Sequence, residues 1–141
     1  MSIDLSQVNW LAVVVSGFVS FLLGGAWYSA LFGKVWIRMQ GWSDEKVEEL
    51  KRKMSPPKFF GGMIVSYLVL AAAVAMLVAA LGLKGPAAGA YLGSILWLGP
   101  AAAIGFTGHL ASDRKLGAYL IDSSFQLLCL VTQGVIIASW K

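Results

Sequence analysis

Charge is scarce in this chain. Eleven Lys and Arg and seven Asp and Glu are spread over 141 residues, 13% in all, against about 25% in an ordinary soluble domain. So few charges cannot cover a water-facing surface, which excludes a conventional soluble globule. Cysteine and histidine are scarcer still. With Cys129 and His109 each alone of its kind, no intrachain disulfide can form and no Cys/His metal cluster can assemble. No phosphate loop, dinucleotide fingerprint or nucleophile motif occurs, and the pairs Gly24-Gly25 and Gly61-Gly62 lie outside any such context. The leading segment holds Asp4 but no Lys or Arg, and the first apolar run exceeds the length of a signal-peptide core, so no cleavable signal is expected. Together these absences predict no catalytic residue, no cofactor, no metal and no nucleic-acid partner.

What the chain has in quantity is apolar sequence, 58% of residues, with a mean hydropathy of +0.75. It is gathered into four runs, at about 8–33, 59–83, 87–110 and 116–140. Each exceeds the roughly 20 residues that cross a bilayer at 1.5 Å rise per residue. Hydrocarbon offers no partner to backbone N–H and C=O groups, so runs of this length must be helices. The expected fold is all-α: a single membrane domain over residues 1–141, a four-helix up-down bundle joined by short turns. Short turns at 82–86 and 111–115 predict antiparallel neighbours.

Between the first two spans, residues 34–57 read as an amphipathic segment. Gly33 closes span one, and Trp36, Ile37, Met39 and Trp42 interleave with Lys34 and Arg38. Ser43 has the character of an N-cap, with Asp44 and Glu45 at the positive end of the helix dipole and Lys51, Arg52 and Lys53 at its negative end. Val47, Leu50 and Met54 share one face, and Pro56 and Pro57 end the helix. Such a helix belongs on the bilayer surface, and Lys51, Arg52 and Lys53 suit anionic lipid or simply a solvated basic end that sets topology.

Nine of the eleven basic residues lie in the 34–58 segment and the 111–115 turn, leaving only Lys84 and Lys141 on the other side. Basic loops stay in the cytoplasm. The expectation is a multi-pass inner-membrane protein with both termini outside. Trp10, Tyr91 and Trp140 then fall near the outer boundary, and Tyr28, Trp36, Phe59, Phe60 and Tyr119 near the inner one, where amphipathic rings are favoured.

Apolar burial gains little within lipid, so helices are held by small residues and polar contacts. Span one offers Ser16, Ser20 and Gly24 at i, i+4 and i+8. Span two has Ala71, Ala75 and Ala79. Span three has Gly89 and Gly93, then Ala101, Gly105 and His109. These faces serve packing within the bundle or between subunits, in a homo-oligomer or with another membrane protein. Gly99-Pro100 predicts a kink in span three.

Chemistry concentrates on span four. Tyr119, Asp122, Gln126, Cys129, Gln133 and Trp140 fall within about 80° of one another at 100° per residue. Such a stripe is expected to avoid lipid. Asp122 is the one acid inside a span. Two readings follow. Asp122 clamps helices by pairing with His109, Arg114 or Lys34, or by accepting from Tyr28. Alternatively it titrates in a small proton- or cation-coupled transporter or channel, with Gln126 and Gln133 as relays.

Gly24-Gly25-Ala26-Trp27-Tyr28-Ser29, then Leu31-Phe32-Gly33-Lys34 and Trp36, resembles the end of the first helix in a widespread bacterial membrane family, domain-of-unknown-function family 1761. Ile121-Asp122 and Trp140 resemble that family's last helix, whereas Ser123-Ser124-Phe125 departs from an aromatic placed after the Asp. The resemblance implies a four-helix membrane protein and no assigned activity.

Overall fold

With no water to bond in hydrocarbon, each apolar run satisfies its backbone by coiling. In the computed structural model, which describes residues 3–140, four stretches are long and apolar enough to cross a membrane: Trp10–Leu31, Pro56–Ala80, Pro86–Leu110 and Leu116–Ser139. The chain is an all-α multi-pass membrane protein, with no strand among the described residues. Span one is α1 (Trp10–Ala26) followed by a π-helical turn (Trp27–Leu31). The short helices α2 (Gly33–Gln40) and α3 (Asp44–Lys53) come next, and α4 (Pro56–Ala80) is span two. Span three joins α5 (Pro86–Leu96), a π-helical stretch (Trp97–Ala103) and α6 (Ile104–Leu110), and α7 (Leu116–Ser139) is span four. Leu22, Val69 and Ile104, each about two-thirds exposed, stand on the outward faces, as lipid contact requires. Lys141, counted above among the bases of the less charged side, lies outside the described residues.

Local chemistry sets most boundaries. The Asn9 side chain accepts from Ala12 N–H at 3.0 Å, and Ser43 accepts from Lys46 N–H at 3.2 Å, the expected cap of α3. Gly41 ends α2 with φ of 75°, a conformation that favours glycine. Two boundaries differ from expectation. Gly33 does not close span one; it is buried as the first residue of α2, where a Cβ would lie 2.7 Å from the Tyr28 carbonyl oxygen. Pro56 and Pro57 open α4 at its first two positions rather than merely ending α3, because the N–H that proline lacks is unpaired there anyway. Proline also forces the residue before it into extended geometry, and Ser55 has φ −93° and ψ 107°.

Helix α3 buries no residue and stands off the bundle. Its charges pair along its own surface, Lys51 with Glu48 at 3.3 Å and Lys53 with Glu49 at 2.6 Å. Lys53, with Lys46 beside it, holds the Glu49 carboxyl below the usual range.

The bundle is organised around α7, which packs on α5, α1, α4 and α2. This departs from simple antiparallel neighbours: the short turn joins α4 to α5, yet those two helices meet only sparsely. Glycine explains the preference. Gly89 and Gly134 bring the backbones of α5 and α7 together so closely that a Cβ on either would overlap the other's carbonyl, and a Cβ on Gly93 would lie 2.7 Å from Val131 Cα. Gly134 was not among the expected packing residues. On the other side Ser16, Ser20 and Gly24 are buried between α1 and its neighbours, with Gly24 against Tyr67 and Phe125 and Gly17 against Leu68. These small residues therefore serve packing within the chain. Gly105 is looser, half-buried and in ordinary contact with Tyr119. The buried residues of α4 all lie between Ala71 and Val78; its first half is more exposed, with Phe60 meeting Phe21 of α1 edge-on at 6.2 Å.

The expected irregularity at Gly99-Pro100 takes the form of the Trp97–Ala103 π-helical stretch, in which Pro100 has no N–H to donate. Replacing Gly134 with Ala is expected to destabilise the protein by about 1–3 kcal/mol through backbone overlap. Gly62→Ala, in open space on α4, should be neutral or stabilising by up to about 1 kcal/mol. Unfolding titrations in mixed detergent micelles distinguish the two.

Candidate functional site

At the end of the bundle that carries the basic loops, α7 presents Asp122 to three donors. Tyr28 Oη donates to Asp122 Oδ1 at 2.8 Å, and Trp36 Nε1 donates to the same oxygen at 2.8 Å. Arg114 Nη1 reaches Oδ2 at 3.2 Å. The carboxylate is about three-quarters buried, the guanidinium about two-thirds. Each donor arrives from a different element. Tyr28 comes from the π-helical turn of span one. Trp36 comes from α2, which folds back along α7. Arg114 comes from the turn just before α7. The wide turn lets consecutive residues serve the same helix, since Trp27 Nε1 also donates to the Ile121 carbonyl at 3.2 Å. Rings frame the site: Tyr28 lies edge-on to Trp36 at 5.5 Å and to Phe125 at 5.4 Å, and Trp36 lies edge-on to Trp42 at 5.7 Å. The backbone N–H of Lys115 donates to the Met39 carbonyl at 3.2 Å, fastening α2 beside the turn.

Two further polar contacts tie α7 to its neighbours. Fully buried Gln133 donates from Nε2 to Ser20 Oγ at 2.9 Å and to the Tyr67 carbonyl at 3.3 Å, bridging α7, α1 and α4. Ser20 Oγ in turn donates to the Ser16 carbonyl at 2.9 Å. Gln133 Oε1 has no partner among the described residues. On the third span, Trp97 Nε1 donates to the Ser123 carbonyl at 2.8 Å, and Tyr119 Oη donates to the Ala102 carbonyl at 2.8 Å. Both fix the π-helical stretch to α7.

The stripe read from the sequence is thus brought together only in part. Tyr28, Asp122 and Arg114 meet. His109 does not join them; its ring lies between Phe106 and Tyr119, with centroids 5.9 and 5.6 Å away, and its Nδ1 is buried without a partner. Lys34 is exposed and outside the cluster. Gln126 stands apart as well. The stripe was expected to turn from lipid into the bundle, a partner or a water-filled path; Gln126 does not enter the bundle but is exposed and lines an open groove. One angular stripe meets different surroundings at different depths, because a gap between α4 and the third span lies beside Gln126 while Gln133 is enclosed by α1 and α4. Sequence reasoning missed the indole donors Trp36 and Trp97. A signal existed: indole is a donor only, and a partly buried one seeks a carbonyl or carboxylate. Cys129 is buried and free. No three His, Cys, Asp or Glu side chains converge on a metal-binding arrangement among the described residues.

The arrangement can hold a carboxylate and fasten four segments. Trp36→Phe, which removes the indole donor, is expected to destabilise by about 1 kcal/mol, and Asp122→Ala, which strands part-exposed Arg114 and two neutral donors, by about 1.5–3 kcal/mol. A double-mutant cycle on detergent unfolding should give a Trp36–Asp122 coupling above about 0.5 kcal/mol; additive effects would contradict the bond.

No curated protein and no solved structure matches the chain. A family profile described as protein of unknown function (DUF1761) matches residues 11–138, all of the four spans but the terminal Trp10 and Ser139. By this match the chain belongs to the DUF1761 family.

Proposed function

We propose that this protein is a non-catalytic membrane module, a helix-packing accessory or oligomeric subunit, in which Asp122 is a clamp. One observation carries the reading: both oxygens of the carboxylate are occupied, Oδ1 by Tyr28 and Trp36 and Oδ2 by Arg114. A titrating transport site needs a face left open to its ion and to water. Here the nearest cation belongs to the protein, and the two neutral donors come from aromatic residues that pack on the site. That arrangement supports holding α7 to span one and α2 over carrying a proton or metal ion across the bilayer.

The same reading places the protein in the inner membrane, with the basic segment 34–58 and the turn 111–115 in the cytoplasm and both termini outside, on the strength of the positive-inside bias. Its α3, standing off the bundle, lies along the cytoplasmic leaflet. Lys51, Arg52 and Lys53 face anionic headgroups there. Lys51 and Lys53 already pair with glutamates, while Arg52 has no carboxylate within 4 Å among the described residues. A cysteine placed at Ser43 should react with an impermeant thiol reagent only when the cytoplasmic face is accessible; reaction from outside would reverse the topology.

Flux decides between clamp and carrier. In liposomes under a pH gradient or a cation gradient with an applied potential, the parent protein should conduct no more than protein-free vesicles. Flux that the parent supports and Asp122→Asn abolishes would establish the carrier instead.

A further inference from the structure

Of the two amide side chains of α7, Gln133 is bonded inside the bundle and Gln126 stands on its outside. It lies 10 residues from Leu116 and 13 from Ser139, so about 15 and 20 Å from the two ends of the helix, near the middle of the bilayer. The residue is exposed, and its side chain makes no hydrogen bond among the described residues. It opens into a groove between α4 and the third span. Two hollows of about 250 and 240 Å³ form this groove, and they share Leu70, Ala101 and Leu130 as walls. Tyr67 stands at one end and the small side chain of Ala73 on the α4 wall. Hydrocarbon at that depth offers no hydrogen bond, and an amide left unbonded in it is strongly disfavoured.

We infer that this groove is the contact surface of a homodimer, with Gln126 of each copy bonded to Gln126 of the other across a twofold axis. The inference rests on the oligomeric-module reading above and names its interface. An acyl chain would cover the apolar walls but leave the amide without a partner. A primary amide offers both N–H donors and a carbonyl acceptor, so it is complementary to itself. An isologous contact that passes through one Gln therefore satisfies both copies with two reciprocal bonds and closes at two subunits. The wall residues Ala73 and Ala101 let a second helix come near. Lipid coverage, a different partner protein and a monomer are the competing outcomes.

The test uses the full-length protein in liposomes, donor- and acceptor-labelled at its N-terminus, with energy transfer followed as the protein-to-lipid ratio is lowered. The parent should dimerise, and Gln126→Leu should dissociate at about tenfold higher protein density while unfolding in detergent like the parent, since the side chain contributes no bond within one copy. In a Cys129→Ala background, Gln126→Cys should form a disulfide-linked dimer on mild oxidation, and Leu22→Cys on the far face of α1 should not. A parent that stays monomeric at every density overturns the inference, as does a Gln126→Leu variant that associates like the parent. Dimers that crosslink at position 22 and not at 126 refute this surface alone and leave the oligomeric reading standing. The flux measurement is unaffected by either result.

Discussion

Hydrocarbon supplies no hydrogen bonds, and the architecture follows from that constraint. Each span must coil to satisfy its backbone, and each polar side chain at membrane depth must find its partner in protein. The partners are concentrated on α7. Asp122 takes donors from span one, α2 and the preceding turn; Gln133 joins α1 and α4; Ser123 and Tyr119 hold the third span. A helix made of Leu and Val alone would pack as well against lipid as against its neighbours. The polar groups give α7 a reason to sit in the centre, and its neighbours a reason to stay around it.

Two kinds of contact divide this work. Gly89, Gly93 and Gly134 let α5 and α7 touch backbone to backbone, which maximises dispersion where the hydrophobic effect is absent. On the opposite side, span one relies on Ser16, Ser20 and Gly24, and at its end on an aromatic cluster about the carboxylate. The π-helical stretches stand where these contacts need them. Trp27–Leu31 points adjacent aromatic residues at α7, and Trp97–Ala103 passes Pro100 while staying attached through Trp97 and Tyr119. Because α5 is drawn to α7, it leaves α4, and the groove beside Gln126 opens.

Much of this could be read from the residues. Hydropathy alone locates four spans, because hydrocarbon leaves a run of that length and composition no alternative to the helix. The cap at Ser43 was visible because its chemistry is local, and the Tyr28–Asp122 pairing because both residues sit at the same depth in neighbouring spans. What was not legible depends on how helices turn about one another. A helical wheel places Gln126 beside Asp122 and Gln133 but cannot say that a gap opens between α4 and the third span at that level. Glycines in a span are ambiguous between packing and tolerance, so Gly134 was missed while Gly105 was credited with a close approach it does not make. The prolines after α3 carry a stop signal and a start signal at once, and the fold uses them as the start of α4.

Central to this architecture is that Asp122 and the carbonyls of Ile121 and Ser123 on α7 are bonded by part-buried indole donors of other segments. Hydrogen–deuterium exchange of the six tryptophan indoles, read by NMR with the protein in nanodiscs, tests it directly. Trp27, Trp36 and Trp97 donate to α7, whereas Trp10, Trp42 and Trp140 are exposed and have no indole bond among the described residues. The account requires the first three indole protons to exchange far more slowly than the last three. Exchange of Trp36 and Trp97 as fast as that of Trp10 would contradict it.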